Sequence, residues 1–368
     1  CIRDRDWPRD SYDLRVSAIT RSSQHIFEHL HAWQGMLKRR ATPYNRMQVW
    51  DATGSGRIQF DAADIAEPEL GHIIENRIIQ RALWDQLQQL DRLQLICPAR
   101  VEALATDENC DSNLTLEDGR QLHVSLVVAA DGANSALREM AGIGTRGWPY
   151  DQTAVVATVR AEHGHQDTAW QKFMPTGPLA LLPTGKDLFS IVWSTSPRQA
   201  TELLEMAEPE FNAQLTQASE HRLGELTLLG QRGAFPLKLQ HADTYIKPGL
   251  ALVGDAAHVI HPLAGQGVNL GLLDAATLVD VLVEARTRKR RLGSFSNLRR
   301  YERARMGDNL IMQGAMDGFK RLFSNQLPPL KLIRNLGLGM VDHATPFKHM
   351  IARQALGTSG ELPTLAKP

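Results

Sequence analysis

Asp255 is the residue of this chain best placed to do chemistry. It follows an apolar run, Leu250–Val253, that reads as a buried strand, and the pair Gly254-Asp255 puts its carboxylate at the strand's C-terminal edge. Beyond it lies a loop holding His258, His261, Pro262, Gly265 and Gly267, and then a helical pattern from Val268 onward. In open α/β sheets ligands sit beyond the carboxyl ends of strands, close to helix N-termini. A carboxylate there can accept hydrogen bonds from sugar-like hydroxyls. The backbone of Gly265–Asn269 can offer N–H groups to an electron-rich ring edge, and glycine lets backbone approach a flat ligand.

A second strand–turn–helix pattern lies upstream. Leu126–Ala130 reads as a strand, Asp131-Gly132 opens a turn, and Asn134 or Ser135 can cap the helix that carries Arg138. Alone this is a common turn; ahead of Gly254-Asp255 it forms the second half of a two-part signature. Further toward the N-terminus, Arg15 opens a helical pattern and Asn76 stands at a strand-to-helix entry. An exposed arginine and a plain helix cap are the ordinary readings of these two residues.

Nucleophilic and metal chemistry find little support. His258 and His261 have the spacing of a metal pair but no third ligand in their loop. They read as structural histidines, with help in polarising a phenol as the alternative. The three cysteines, Cys1, Cys97 and Cys110, have no metal spacing and suggest a reducing, cytoplasmic setting. Charges balance at 41 basic and 41 acidic residues, so no nucleic-acid footprint appears. No run of about 18 apolar residues is present.

The elements that position these residues follow from periodicity. Val16 to Leu37 has helical spacing, with Ile19, Ile26, Phe27, Leu30 and Trp33 on one face. Residues 46–60 alternate around Gly54-Ser-Gly56, a predicted hairpin, and Asn76 to Leu90 is predicted as a helix. Leu93–Ile96, Arg100–Ala105 and Asn113–Leu116 read as strands. From Thr153 to Phe235 short strands (155–160, 170–174, 189–193) alternate with Pro/Gly turns around one helix at about 208–222. Long helices follow from Val268.

The two glycine–acid segments resemble the FAD fingerprints of the class A flavin monooxygenases, the aromatic hydroxylase family. His72-Ile-Ile-Glu-Asn76, Ile191-Val-Trp-Ser194, the stretch from His258 to Gly271 and Arg299-Arg-Tyr-Glu-Arg303 are similar to its ubiquinone-biosynthesis branch, the 2-polyprenylphenol hydroxylases. The resemblance implies an α/β fold: a Rossmann-like FAD-binding domain, an inserted β-sheet substrate domain and C-terminal helices. The segments expected are 1–45 plus 72–150 plus 247–310, then 46–71 plus 151–246, then 311–368. It implies Asp255 as ribitol ligand and Pro262, Gly265, Gly267, Val268 and Asn269 along the flavin. Asp131 and Arg138 fall near the pyrophosphate and the nicotinamide path, and Arg15 and Asn76 near the phosphates.

The family's opening G-x-G-x-x-G turn is missing from the first 50 residues, and the chain starts at Cys1. The expectation is a fragment truncated at its N-terminus, lacking roughly 30–40 residues of a βαβ unit, with Asp4 in the place of the adenosine-ribose carboxylate. The match Gly142-Ile-Gly-Thr-Arg-Gly147 follows a helix and precedes Trp148-Pro149, the wrong context for a phosphate turn.

The implied chemistry is hydroxylation of a polyprenylated phenol with FAD, NAD(P)H and O2. The alternatives are hydroxylation of a small soluble aromatic and a non-catalytic role in a quinone-biosynthesis assembly. Residues Asn309 to Leu356 combine apolar positions with excess Lys and Arg, a basic amphipathic pattern. It reads either as peripheral docking to an anionic inner membrane or as a cap or subunit interface, in a homo-oligomer or a biosynthetic complex.

Overall fold

The computed structural model describes residues 11–54, 56–260, 267–324, 356–357 and 360–368. Its largest sheet has eight strands in the order β17-β14-β10-β13-β12-β11-β3-β4. These are β3 (Arg46–Asp51), β4 (Arg57–Asp61), β10 (Thr145–Ala161), β11 (Thr168–Met174), β12 (Gly177–Pro183), β13 (Leu188–Thr195), β14 (Leu226–Ala242) and β17 (His258–Val259). Strict alternation sorts its faces. Val155, Ala157, Phe189, Ile191, Trp193, Leu179 and Leu181 point toward helices α5 (Pro197–Glu205) and α6 (Glu208–Ala218), which close that face with Leu203, Phe211 and Leu215. The opposite face carries Tyr150, Ala154, Val192, Phe235, Leu237 and Leu239.

Three smaller sheets complete the strands of the described residues. One runs β1 (Val16–Ile19), β5 (Gly71–Glu75), β2 (Ala41–Tyr44); α1 (Arg21–His29), α2 (Trp33–Leu37) and α3 (Asn76–Leu87) bury Phe27, Trp33, Met36 and Ile78 against it. Another, β6 (Val101–Thr106), β7 (Ser112–Leu116), β8 (Gln121–Val124), is a meander. In the third, β9 (Val127–Ala129) runs parallel to β16 (Leu250–Leu252), and β15 (Ile246–Lys247) flanks β16. Short helix α4 (Ala136–Met140) follows β9, and α7 (Gly267–Thr287) and α8 (Phe295–Ser324) pack over β16 with Leu278, Leu298 and Tyr301. This is the expected α/β arrangement, a Rossmann-like region with an inserted sheet and C-terminal helices.

Several local expectations are corrected. Val16–Ile19 is a strand, not the start of a helix: it pairs antiparallel with β5, and the helix begins only after Thr20, whose hydroxyl accepts from Ser23 N. Leu93–Ile96 forms no strand, and Leu93 and Leu95 are exposed. The region expected to hold short strands contains the 17-residue β10 and β14, an additional strand β12, and the additional helix α5. Among the described cysteines, Cys110 is a free thiol and Cys97 is not. The hairpin around Gly54-Ser-Gly56 is present as β3 paired with β4, and Gly147 lies within β10, not in a phosphate turn.

Candidate cofactor site

β16 is wholly apolar and buried, and it hands the chain to Gly254, whose φ of +59° is left-handed and suits glycine. A single 3-10 turn, Gly254–Ala256, lifts Asp255 out of the sheet edge into solvent. The turn leans on the first turns of α7: a Cβ on Gly271 would come within 3.1 Å of Gly254 Cα. At Gly267, where α7 begins, a Cβ would meet nothing within 4 Å. An exposed aspartate and the first turns of α7 therefore lie side by side at this end of the sheet. Helix N-termini offer unpaired N–H groups and a partial positive charge.

The surroundings are electropositive. Burial pushes the Asp255 carboxyl above its ordinary range, against the opposing pull of His258, Arg15 and Lys238. Arg15 is exposed, and Lys238 Nζ donates to Asn134 Oδ1 at 3.3 Å. An acidic acceptor beside two cations and a helix N-terminus fits a ligand with a polyol chain next to an anionic linker. FAD has this pattern, and the residues present fit it.

Other expected residues are brought close but turn inward. Arg138 is buried; its Nη1 donates to Ala256 O at 2.9 Å and its Nη2 to Ala133 O at 3.2 Å. It thus staples the Asp131-Gly132 turn to the turn carrying Asp255. Asp131 is exposed and its Oδ2 accepts from Leu137 N, while Ser135 caps α4 by accepting from Arg138 N. Asn76 is the first residue of α3 rather than its cap, which is Glu75. Its Oδ1 accepts from Ser17 Oγ at 2.7 Å, and its N–H donates to Arg15 O, joining the strand that carries Arg15 to the α3 entry. Asn269 is 2% exposed: its Oδ1 accepts from Thr20 N and its Nδ2 donates to Ala18 O at 2.8 Å, fixing α7 to β1. Val268 packs against the core beneath α2. Pro262, Gly265 and His261 lie outside the described residues, as does Asp4.

His258 takes the structural alternative. Its ring is buried and its Nε2 lies 2.5 Å from Asp274 Oδ2. Asp274, Arg305, Asn309 and Tyr245 form a buried polar cluster behind the turn that the sequence reading missed. One sign was available: Asp274 interrupts the apolar run Leu270–Ala276. A charge inside an apolar helix face needs a partner.

Beyond the cofactor turn, β17 pairs with β14, setting His258 opposite His241 and Val259 opposite Gln240. The face of the large sheet opposite α5 and α6, with Leu237, Leu239, Phe235, Val192 and Tyr150, therefore runs up to the cofactor turn.

Comparison with known proteins agrees with this geometry. Residues 6–309 match the family model described as FAD binding domain. The chain is 42% identical over 345 residues to 3-demethoxyubiquinol 3-hydroxylase of Escherichia coli (strain K12), covering 94% of this chain and 88% of that protein. It is 38% identical to ubiquinone hydroxylase UbiL of Rhodospirillum rubrum, over 94% of this chain and 80% of that protein. Among solved structures, p-nitrophenol 4-monooxygenase PnpA from Pseudomonas putida DLL-E4 superposes with a TM-score of 0.75 at 17% identity, covering 94% and 89% of the two chains; this shows the fold alone. The chain belongs to the class A FAD-dependent monooxygenases, within the group of ubiquinone-biosynthesis hydroxylases.

Proposed function

We propose that this protein hydroxylates the aromatic ring of a polyprenylated phenol in ubiquinone biosynthesis. Phenol, O2, NAD(P)H and a proton give the hydroxylated phenol, water and NAD(P)+. When bound, FAD would supply the redox chemistry, hydride acceptance from NAD(P)H and transfer of one oxygen atom of O2 to the ring. The chain's own residues bind and orient. Asp255 accepts hydrogen bonds from the ribitol hydroxyls. The first N–H groups of α7, at Gly267, Val268 and Asn269, would hold the electron-rich edge of the flavin. Arg15 and Lys238 lie toward the phosphates, with Asp131 beside them and Asn76 holding the Arg15 strand in place. Pro262 and Gly265 complete the proposed set of flavin contacts.

The observation that carries the substrate assignment is the seam between β14 and β17. It joins the cofactor turn directly to an apolar sheet face. Residues 46–71 plus 151–246 form the substrate domain in this reading, and a ring on that face excludes water while its tail follows apolar wall. The test is incubation of the flavin-loaded protein with NAD(P)H, 18O2 and either a prenylated phenol or the same phenol without its tail. The expected product carries one 18O atom and forms faster from the prenylated compound. Oxidation of NAD(P)H with no oxygenated phenol would refute the assignment. Equal or greater rates on the tailless phenol would favour a small soluble substrate.

A further inference from the structure

The turn that presents Asp255 is gripped from behind by one carboxylate. Asp274, on α7, is 0% exposed. Its Oδ2 accepts from the backbone N–H of Gly254 at 3.1 Å and lies 2.5 Å from His258 Nε2. Its Oδ1 accepts from Arg305 Nε at 2.9 Å and from Asn309 Nδ2 at 3.2 Å. Gly254 and His258 flank Asp255 on either side, so one oxygen holds both shoulders of the turn while the other holds α8. Arg305 is itself oriented by Asn309 Oδ1 at 3.0 Å and Asp308 at 3.3 Å, and Asn309 Nδ2 also reaches Tyr245 Oη at 3.3 Å.

Gly254, Arg305 and Asn309 all donate to this carboxyl, across both of its oxygens, which suits the acceptor-only ionised form. Burial pushes the Asp274 carboxyl up, but His258 and Arg305 together overcome this and hold it below the usual carboxylate range. Buried ion pairs are poor sources of net stability compared with packed apolar side chains, because desolvation offsets the attraction. What they do supply is one defined geometry, and here that geometry is of the turn bearing Asp255.

We infer that Asp274, with His258 and Arg305, is a positioning set for the cofactor: it fixes Asp255 relative to the N-terminus of α7 and makes that placement depend on the seat of α8. The inference rests on the reading of Asp255 as an FAD contact.

The experiment compares Asp274→Asn and the milder His258→Asn with Tyr301→Phe. Tyr301 is equally buried on α8, the helix that carries Arg305, but its hydroxyl donates to Leu252 O, in the strand rather than the turn, at 2.6 Å. Hydrogen exchange of the peptide 253–260 is followed in the FAD-free protein. FAD affinity and the visible circular dichroism of the bound flavin are followed in the loaded protein. The two clamp variants should speed exchange in that peptide, alter the flavin dichroism and raise the FAD dissociation constant about tenfold, as for one lost charge-assisted hydrogen bond. Tyr301→Phe should lower the thermal midpoint without these changes. Unchanged exchange in both clamp variants, or the same exchange and dichroism changes in Tyr301→Phe, would overturn the inference. So would faster exchange with unaltered FAD affinity in a protein where Asp255→Ala does weaken FAD. If Asp255→Ala itself leaves FAD binding intact, the cofactor reading has failed instead.

Discussion

Replacing Asp255 by asparagine or alanine should move FAD affinity and protein stability in opposite directions. Asp255 is exposed as a residue at the strand edge, while its carboxyl is partly desolvated by its surroundings, with His258, Arg15 and Lys238 as its charged neighbours. Burial around it raises its pKa, the first and largest influence, against His258, Arg15 and Lys238. For an acid whose pKa is higher in the folded state than in the unfolded one, the fold binds the extra proton between the two values. Stability therefore falls as pH rises through that window, and at neutral pH the ionised group opposes folding. Because the side chain is exposed, solvent screens much of this, and the apo-protein should be unchanged or slightly stabilised by Asp255→Asn. FAD binding should suffer: losing charge-assisted bonds to the ribitol costs about 1.5–3 kcal/mol, roughly ten- to a hundredfold in dissociation constant. Flavin fluorescence titration measures the affinity, and a urea midpoint without FAD measures the stability. A clear drop in apo stability together with unaltered FAD affinity would show that Asp255 braces the turn and does not bind the cofactor.

Three further outcomes are expected. Asn269→Ala strands two buried backbone groups, Thr20 N–H and Ala18 C=O; at about 1–3 kcal/mol each, it should destabilise the FAD-free protein by about 2–6 kcal/mol, and a urea midpoint within error of the parent would remove the staple. His72 is buried edge-on to Trp33, and burial first, then the charge of Arg21, lowers its pKa from 6.5 to about 4. The neutral ring is the folded form, so stability is full above about pH 6.5 and declines as pH falls toward 4, by at most about 3 kcal/mol; His72→Leu should flatten that decline in urea titrations, and an identical pH dependence in both proteins would refute the assignment. Lastly, the full chain should sediment with anionic vesicles more than with zwitterionic ones, through the basic amphipathic segment beyond Asn309, and added salt should release it; negligible binding to both leaves that segment as a cap or subunit interface.

The fold was legible where local pattern and tertiary partner agree. The hairpin β3–β4, helix α3 and the strand–turn–helix passage through Gly254 needed only alternation, glycine placement and apolar spacing. The misreadings arose where a distant partner decides. Val16–Ile19 continues the helical spacing of α1, but pairing of Ser17 with Ile74 and Ile19 with His72 makes it a strand, and that partner lies more than 50 residues away. Leu93–Ile96 is apolar but gains no partner strand among the described residues. In β14, Gly230, Gly233 and Pro236 look like turn residues; the strand accommodates them through register shifts against β10, with Pro236 opposite Thr153 at one of them. Helix α5 did announce itself, in Ser196-Pro197, where the serine hydroxyl accepts from Gln199 N and proline takes the first helical position.

The site divides along a different line. Asp255 faces solvent at the strand edge where local pattern put it, whereas Arg15, expected at a helix entry, stands exposed just before strand β1. Arg138, His258 and Asn269 were legible as positions, but each bonds to the protein itself: to Ala256 and Ala133, to Asp274, and to Ala18 and Thr20. Asp274 and Arg305 were missed because their partners come from four places in the chain, and no spacing predicts that Gly254, His258, Asp274 and Arg305 meet. A flat ligand held by backbone N–H groups and one carboxylate needs few side chains of its own. It does need the turn that offers them to stay in place when the ligand leaves. Much of the polar chemistry around Asp255 is therefore spent on scaffold, and a sequence motif read as a set of ligand contacts is here, in good part, a set of staples.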